Sequence, residues 1–137
     1  MTQEEKQLLL KDLCARLPYG VKVTFQNNGF RWDWYQTLYE IKKCDDGDYS
    51  INGWGIHGIK PYLRPMSSMT QKEEEDLKQI IEIELNYLAS GHVGHTVESA
   101  ASSTFEIDFY NSHHFDFRGL MPMGLALEAP KDMYKTE

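Results

Sequence analysis

The stretch TFEIDFYNSHHFDFR, residues 104–118, decides how the rest of the chain is arranged. Its first half alternates Phe105, Ile107 and Phe109 with Glu106, Asp108 and Tyr110, the period of two expected of a strand with one buried face. In its second half, Asn111 or Ser112 is placed to cap a short helical turn through HHFDF. Gly119, Pro122 and Gly124 then break the chain before the apolar Leu125, Ala126 and Leu127. On this reading residues 105–110 are the fourth strand of a sheet, and the preceding chain must supply the other three.

It has the patterns to do so. Thr2 and Glu5 form a capping box that predicts a helix over residues 3–16. The spacing gives that helix an apolar side at Leu9, Leu10, Leu13, Cys14 and Leu17, leaves Lys6, Lys11, Asp12 and Arg16 for water, and stops it at Pro18 and Gly20. GVKVTFQ then alternates as a strand, and Asn28-Gly29 supplies a tight hairpin turn. The chain is expected to return through Phe30, Trp32 and WYQTLYEIKK, turn at DDGD (45–48), and come back as YSINGWGI. That is a three-stranded antiparallel meander. Gly53, Gly55 and Gly58 suggest a bulge at its end, around Trp54 and His57.

Pro61 and Pro65 make IKPYLRP read as a rigid extended connector. Thr70 and Glu73 repeat the capping box, and Leu77, Ile80, Ile81, Leu85 and Leu88 line one face of a second helix over residues 71–89, with Gly91 as its stop. Residues 91–104, small and polar, read as a loop. No repeat or linker divides the chain. The expected architecture is therefore one domain, residues 1–137, of α+β class, with two main helices packed on one face of a small antiparallel sheet of about four strands.

Composition narrows the function. At 137 residues, 41% hydrophobic and 12% aromatic, the chain is large and apolar enough to bury a core without metal or disulfide staples. Its formal charge of −7 has the wrong sign for binding a nucleic-acid backbone and suits a basic protein partner. The first residues lack the basic start and apolar run of a signal peptide, and no stretch of about 18 apolar residues provides a membrane span. A cytoplasmic protein is expected. Cys14 and Cys44 form no C-x-x-C pair and read as reduced, packed thiols.

Two groups of residues carry candidate chemistry. His113, His114 and Asp116 offer two imidazoles and a carboxylate, either to a metal, with His92 and His95 completing the set, or to acid–base hydrolysis supported by Arg118. The spacing argues against a metal, because adjacent histidines on a helical turn point about 100° apart. No nucleophile elbow, H-E-x-x-H, Walker loop or dinucleotide fingerprint is present, and no cofactor is expected. Asp116 and Arg118 also read as an ion pair or cap network that pins the turn. The second group is acidic: Asp45, Asp46 and Asp48 beside Trp54, and Glu74 and Glu75 at the start of the second helix, form a candidate binding surface.

LCARLPYGVKV, IKPYLRPMSSMT and HHFDFRGLMPMGLALEAP together resemble a family of short hypothetical proteins of gut anaerobes, their phages and mobile elements. In that comparison residues 26–57 and 89–108 are the variable parts. The resemblance implies an intracellular accessory protein and assigns no activity, so no catalytic residue comes from it. A scaffold of three motifs with variable loops between them suits a recognition module. The leading expectation is a non-enzymatic protein-binding module with an acidic surface. The alternative is a small metal-dependent or acid–base hydrolase built on His113, His114 and Asp116. The oligomeric state is open.

Overall fold

The structure of the protein, a computed structural model, describes residues 1–25, 34–89 and 105–134, the side chains of 87–89 excepted. The Asn28-Gly29 hairpin, Phe30, Trp32, His92, His95 and the 91–104 loop lie outside the described residues. The class is α+β, and the described residues form a mixed four-stranded sheet, in the order β2 (Gln36–Thr37), β1 (Lys22–Phe25), β6 (Ile59–Leu63), β7 (Leu127–Glu128), and a separate antiparallel meander of β3 (Ile41–Lys43), β4 (Tyr49–Ile51) and β5 (Trp54–Gly55).

Helix α1 spans Gln3–Arg16 and begins at the expected capping box: Glu5 N–H donates to Thr2 Oγ1 at 3.0 Å and Thr2 N–H to Glu5 Oε1 at 2.8 Å. A 3-10 turn over Leu17–Tyr19 and a left-handed Gly20 (φ 70°) swing the chain into β1, Lys22–Phe25. Strand β2 is only Gln36–Thr37, because the expected long second strand breaks there and resumes as β3, Ile41–Lys43, in the other sheet. The break has a clear cause in Asn52. Its Oδ1 accepts from the N–H groups of Tyr39 and Glu40 at 2.9 and 3.1 Å, and its Nδ2 donates to the Thr37 carbonyl at 3.0 Å. One side chain thereby covers the open edge of β2 and joins the two sheets.

Asn52 also splits the expected third strand. It and Gly53 have φ of 54° and 87°, as a type I′ turn requires, so YSINGWGI folds into a hairpin of β4 (Tyr49–Ile51) and β5 (Trp54–Gly55). The supposed connector IKPYLRP is a second correction. Ile59–Leu63 is β6, inside the four-stranded sheet, antiparallel to β1 and parallel to β7 (Leu127–Glu128). A proline is tolerated there because Leu63 bonds toward β7. Pro61, two residues earlier, therefore turns its missing N–H to the side where β7 has not yet begun.

Helix α2, Gln71–Ala89, matches the expectation, including the Thr70–Glu73 capping box with bonds of 2.9 and 3.2 Å. The decisive stretch does not. Phe105–Ser112 is helix α3, packed between α1 and α2, not a fourth strand. An alternation of Phe, Ile and Phe also places Phe105 and Phe109 four residues apart on one helix face, and polar i, i+4 bonding settles the choice: Tyr110 donates to Glu106 at 2.6 Å. The Phe105 N–H is capped from α2 by Glu84 at 3.3 Å. Asn111 and Ser112 consequently end a helix instead of starting one.

The core gathers Leu9 and Leu13 of α1, Val21, Val23 and Phe25 of the β1 region, Ile51, Ile56, Ile59 and Leu63 of the middle, and Leu120 and Leu125 of the C-terminal part. Cys14, expected on the apolar side of α1, is exposed. No helix among the described residues is long and apolar enough to cross a membrane.

Candidate functional site

The polar residues of 111–118 converge on α1, and they do so through two side chains expected in water. Asp12 and Arg16 are both 0% exposed. Arg16 Nε donates to Asp12 Oδ2 at 2.9 Å and Arg118 Nη1 to Asp12 Oδ1 at 2.6 Å, so one carboxylate joins two guanidinium groups. Arg16 Nη2 reaches the Phe115 carbonyl at 2.5 Å. The Phe117 ring lies against both cations, 4.2 Å from Arg118 and 5.8 Å from Arg16. Asp12 and Arg16 sit three and seven residues beyond Leu9, on the stripe that also carries Leu13. The helical spacing thus held the signal that residue type concealed.

Asp116 does not pair with Arg118. Its two oxygens instead accept from the backbone N–H groups of Leu120 and Met121 at 2.7 and 3.0 Å. The expected cap is present and the expected ion pair is with Asp12. Backbone bonds from Arg64 N–H to the His114 carbonyl (2.7 Å) and from Asp116 N–H to the Arg64 carbonyl (2.8 Å) fasten this turn to the end of β6.

The two histidines face different neighbours. His113 stacks on Phe109 at 4.1 Å, and its Nδ1 lies 3.0 Å from the Phe109 carbonyl and 3.1 Å from Ser112 Oγ. His114 is 8% exposed and stacks on Tyr134 at 3.7 Å. Burial, and then the nearby Arg16 charge, push its pKa down to about 4, so its ring is neutral at pH 7. Its Nδ1 and the Nη1 of Arg16 are buried without a hydrogen-bond partner among the described residues. Among those residues no group of three or more His, Cys, Asp or Glu side chains is placed to hold a metal ion. His113, His114 and Asp116 form no such cluster because each is turned to a separate partner.

Tyr134, which no sequence pattern marked, completes the clasp. Its hydroxyl accepts from Lys22 N–H and donates to the Tyr62 carbonyl, both at 2.7 Å. It thus bridges β1 and β6 where their direct ladder ends at Val23 and Pro61. Burial raises the phenol pKa, which keeps the bridging proton in place.

The acidic candidates divide. Asp45 and Asp46 are exposed in the turn between β3 and β4, and Asp46 accepts the Asp48 N–H at 3.0 Å. Asp48 is engaged by Lys6 and His57, each at 3.0 Å, and the Lys6 bond is the largest of the causes that lower its pKa. Trp54 belongs to the core edge: its ring packs 4.8 Å from Phe25 and 6.2 Å from Trp34. Glu73 is held by Arg64 at 2.8 Å through both oxygens, and that pairing brings its carboxyl down to about 2. Glu74, in the first turn of α2, and Glu75, just after it, are exposed to solvent, with no side-chain bond or ion pair among the described residues. Comparison with family models, with curated proteins and with solved structures finds no match for this chain.

Proposed function

We propose that the protein is a non-enzymatic binding module that recognises a basic protein partner through carboxylates at the start of α2. One observation carries this reading. Of the residues with catalytic potential, Asp116 and Arg118 are bonded inside the fold and the His114 ring is buried against Tyr134, whereas Glu74 and Glu75 stand exposed and unengaged among the described residues. Exposed carboxylates steer a cationic partner and set its orientation, with a salt-sensitive association rate. Asp45 and Asp46 are likewise exposed, in the turn between β3 and β4.

A cytoplasmic setting and an accessory role in a phage or mobile element, as the resemblance implies, belong to the same reading. The hydrolase alternative has one observation in its favour: a neutral imidazole nitrogen, His114 Nδ1, has no partner. Against it, the ring lies under Tyr134 and is almost fully buried, beyond the reach of a substrate.

Affinity capture of a tagged copy from the cells that make it, followed by mass spectrometry, tests the proposal. A partner with a basic surface is expected, retained by His114→Ala and lost from a Glu74→Lys/Glu75→Lys double variant. A partner indifferent to the charge reversal, or one released only by His114→Ala, overturns it.

A further inference from the structure

A groove of 780 Å³ opens where β6 and β7 end. The two strands are parallel, paired at Tyr62–Leu127 and Leu63–Glu128, and the chains that follow them part company. Arg64, Pro65 and Glu73 form one wall, and Glu128, Pro130 and Tyr134 form the other. This places the cleft at the carboxyl ends of parallel strands, where diverging chains leave room for a ligand.

Three properties of the groove select an occupant. The first is the strand edge that flanks it, on the side of β7 away from β6. Among the described residues β7 is the outermost strand of its sheet, and the Ala129 N–H bonds to the Leu63 carbonyl at 2.8 Å, so Leu127 and Ala129 turn their backbone groups toward β6. The alternation of a strand then aims the N–H and C=O of Glu128 outward, available to an added strand.

The second is charge. Arg64 is not an anion receptor, because its guanidinium is taken by both oxygens of Glu73, by the Ser68 carbonyl at 3.1 Å, and by the Phe115 ring at 4.2 Å. Apart from that neutral pair, the charged lining is Glu128, Asp132 and Lys131, all exposed, and the α2 start beside it carries the exposed Lys72, Glu74 and Glu75. The balance is negative. The third is rigidity. Tyr134 is fixed by its two hydroxyl bonds and by the His114 stack, so this wall is formed before anything binds.

We infer that the β7 edge beside this groove binds an extended segment of the partner protein bearing lysine or arginine, whose backbone pairs with Glu128 and whose cationic side chains meet Glu128 and Asp132. The inference rests on the basic partner proposed above and assigns the part of that partner and the place where it docks. Strand addition supplies the backbone bonds, and the carboxylates supply the preference for basic side chains.

Fluorescein-labelled Lys-Val-Lys-Val-Lys-Val-Lys is the probe, with Glu-Val-Glu-Val-Glu-Val-Glu and a backbone N-methylated version of the basic peptide as controls. Anisotropy titrations are run on the full chain, on Glu128→Lys/Asp132→Lys and on Glu74→Lys/Glu75→Lys. All four sites are exposed, and circular dichroism confirms that each variant is folded. The basic peptide alone is expected to bind, to weaken about tenfold or more in the Glu128/Asp132 variant, and to slow hydrogen exchange at the Glu128 amide.

Equal binding of the N-methylated peptide overturns strand pairing. Binding lost only in the Glu74/Glu75 variant overturns the groove and leaves the α2 surface standing. No preference for the basic over the acidic peptide overturns the groove as well. The captured partner and its response to Glu74/Glu75 reversal then judge the parent reading separately.

Discussion

Two turns in the C-terminal part of the chain close with the same pair of backbone bonds but with different residues at the critical position. At the end of α3 the Phe115 N–H reaches the Tyr110 carbonyl at 2.9 Å and the His114 N–H reaches Asn111 at 3.2 Å. Between residues 120 and 125 the Leu125 N–H reaches Leu120 and the Gly124 N–H reaches Met121, both at 3.0 Å. Each pair is a Schellman motif, whose penultimate residue must enter the left-handed region. Gly124 does so at φ 75° in an exposed position, and His114 does so at φ 65° while buried.

The difference shows what each turn is for. Glycine at 124 supplies conformational freedom alone, whereas histidine at 114 accepts a strained backbone so that its ring can support Tyr134. Asp116 ties the two turns together, since it follows the first and caps the N–H groups that open the second.

The largest test of this contrast is at Asp12, which anchors the first turn and has no counterpart at the second. Asp12→Ala leaves the buried Arg16 and the part-buried Arg118 without their shared carboxylate. Breaking one partner of a buried ion network costs about 3–5 kcal/mol, so urea denaturation should show a loss of that order or no folded protein at all. A loss below about 1 kcal/mol, the range of a surface pair, would mean that Asp12 faces water in solution, and that the first turn is no more anchored than the second.

The next effect is a pH dependence belonging to the first turn only. The folded pKa of His114 is lowered from 6.5 to about 4, so the unfolded chain binds its proton more readily than the folded one. Its contribution is therefore full above about pH 6.5, falls as the pH drops from there to about 4, and amounts to something on the order of 2 kcal/mol. Glu73, lowered from 4.5 to about 2, loses its contribution in a more acidic window. Chemical denaturation between pH 7 and pH 4.5 should show the slope in the parent protein. In His114→Gly it should be flatter, and in Gly124→Ala unchanged. An identical slope in all three would detach the titration from His114.

These features explain why the sequence disclosed some elements and hid others. The two capping boxes gave the starts of α1 and α2 correctly because their signal is local, a side chain and a backbone N–H three residues apart. Gly124 was legible as a chain break for the same reason. The left-handed His114 was not, because histidine announces chemistry and gives no sign of backbone conformation. Helix α3 was hidden by an alternation that fits both periods, and β6 by a proline whose position at a vacant stretch of ladder depends on its neighbours. The exposed carboxylates at 45, 46, 74 and 75 were readable from the sequence, but the capture of Asp48 by Lys6 and of Trp54 by Phe25 arises from contacts between distant segments.

The smallest effect makes the comparison sharpest, because it asks one backbone question at both turns. A Cβ at Gly124 would meet nothing within 4 Å, so Gly124→Ala adds no clash and should cost only the left-handed penalty, about 1 kcal/mol. At position 114, alanine and glycine both remove the ring that packs on Tyr134, and they differ mainly in that same penalty. His114→Gly should therefore be more stable than His114→Ala by about 1 kcal/mol, even though it deletes more atoms. Equilibrium unfolding of the three variants reads both differences. Equal values at the two positions mean that both turns are left-handed and that the ring alone sets His114 apart. If His114→Ala matches or exceeds His114→Gly in stability, the first turn is not held in the left-handed region, and the strain assigned to His114 is absent.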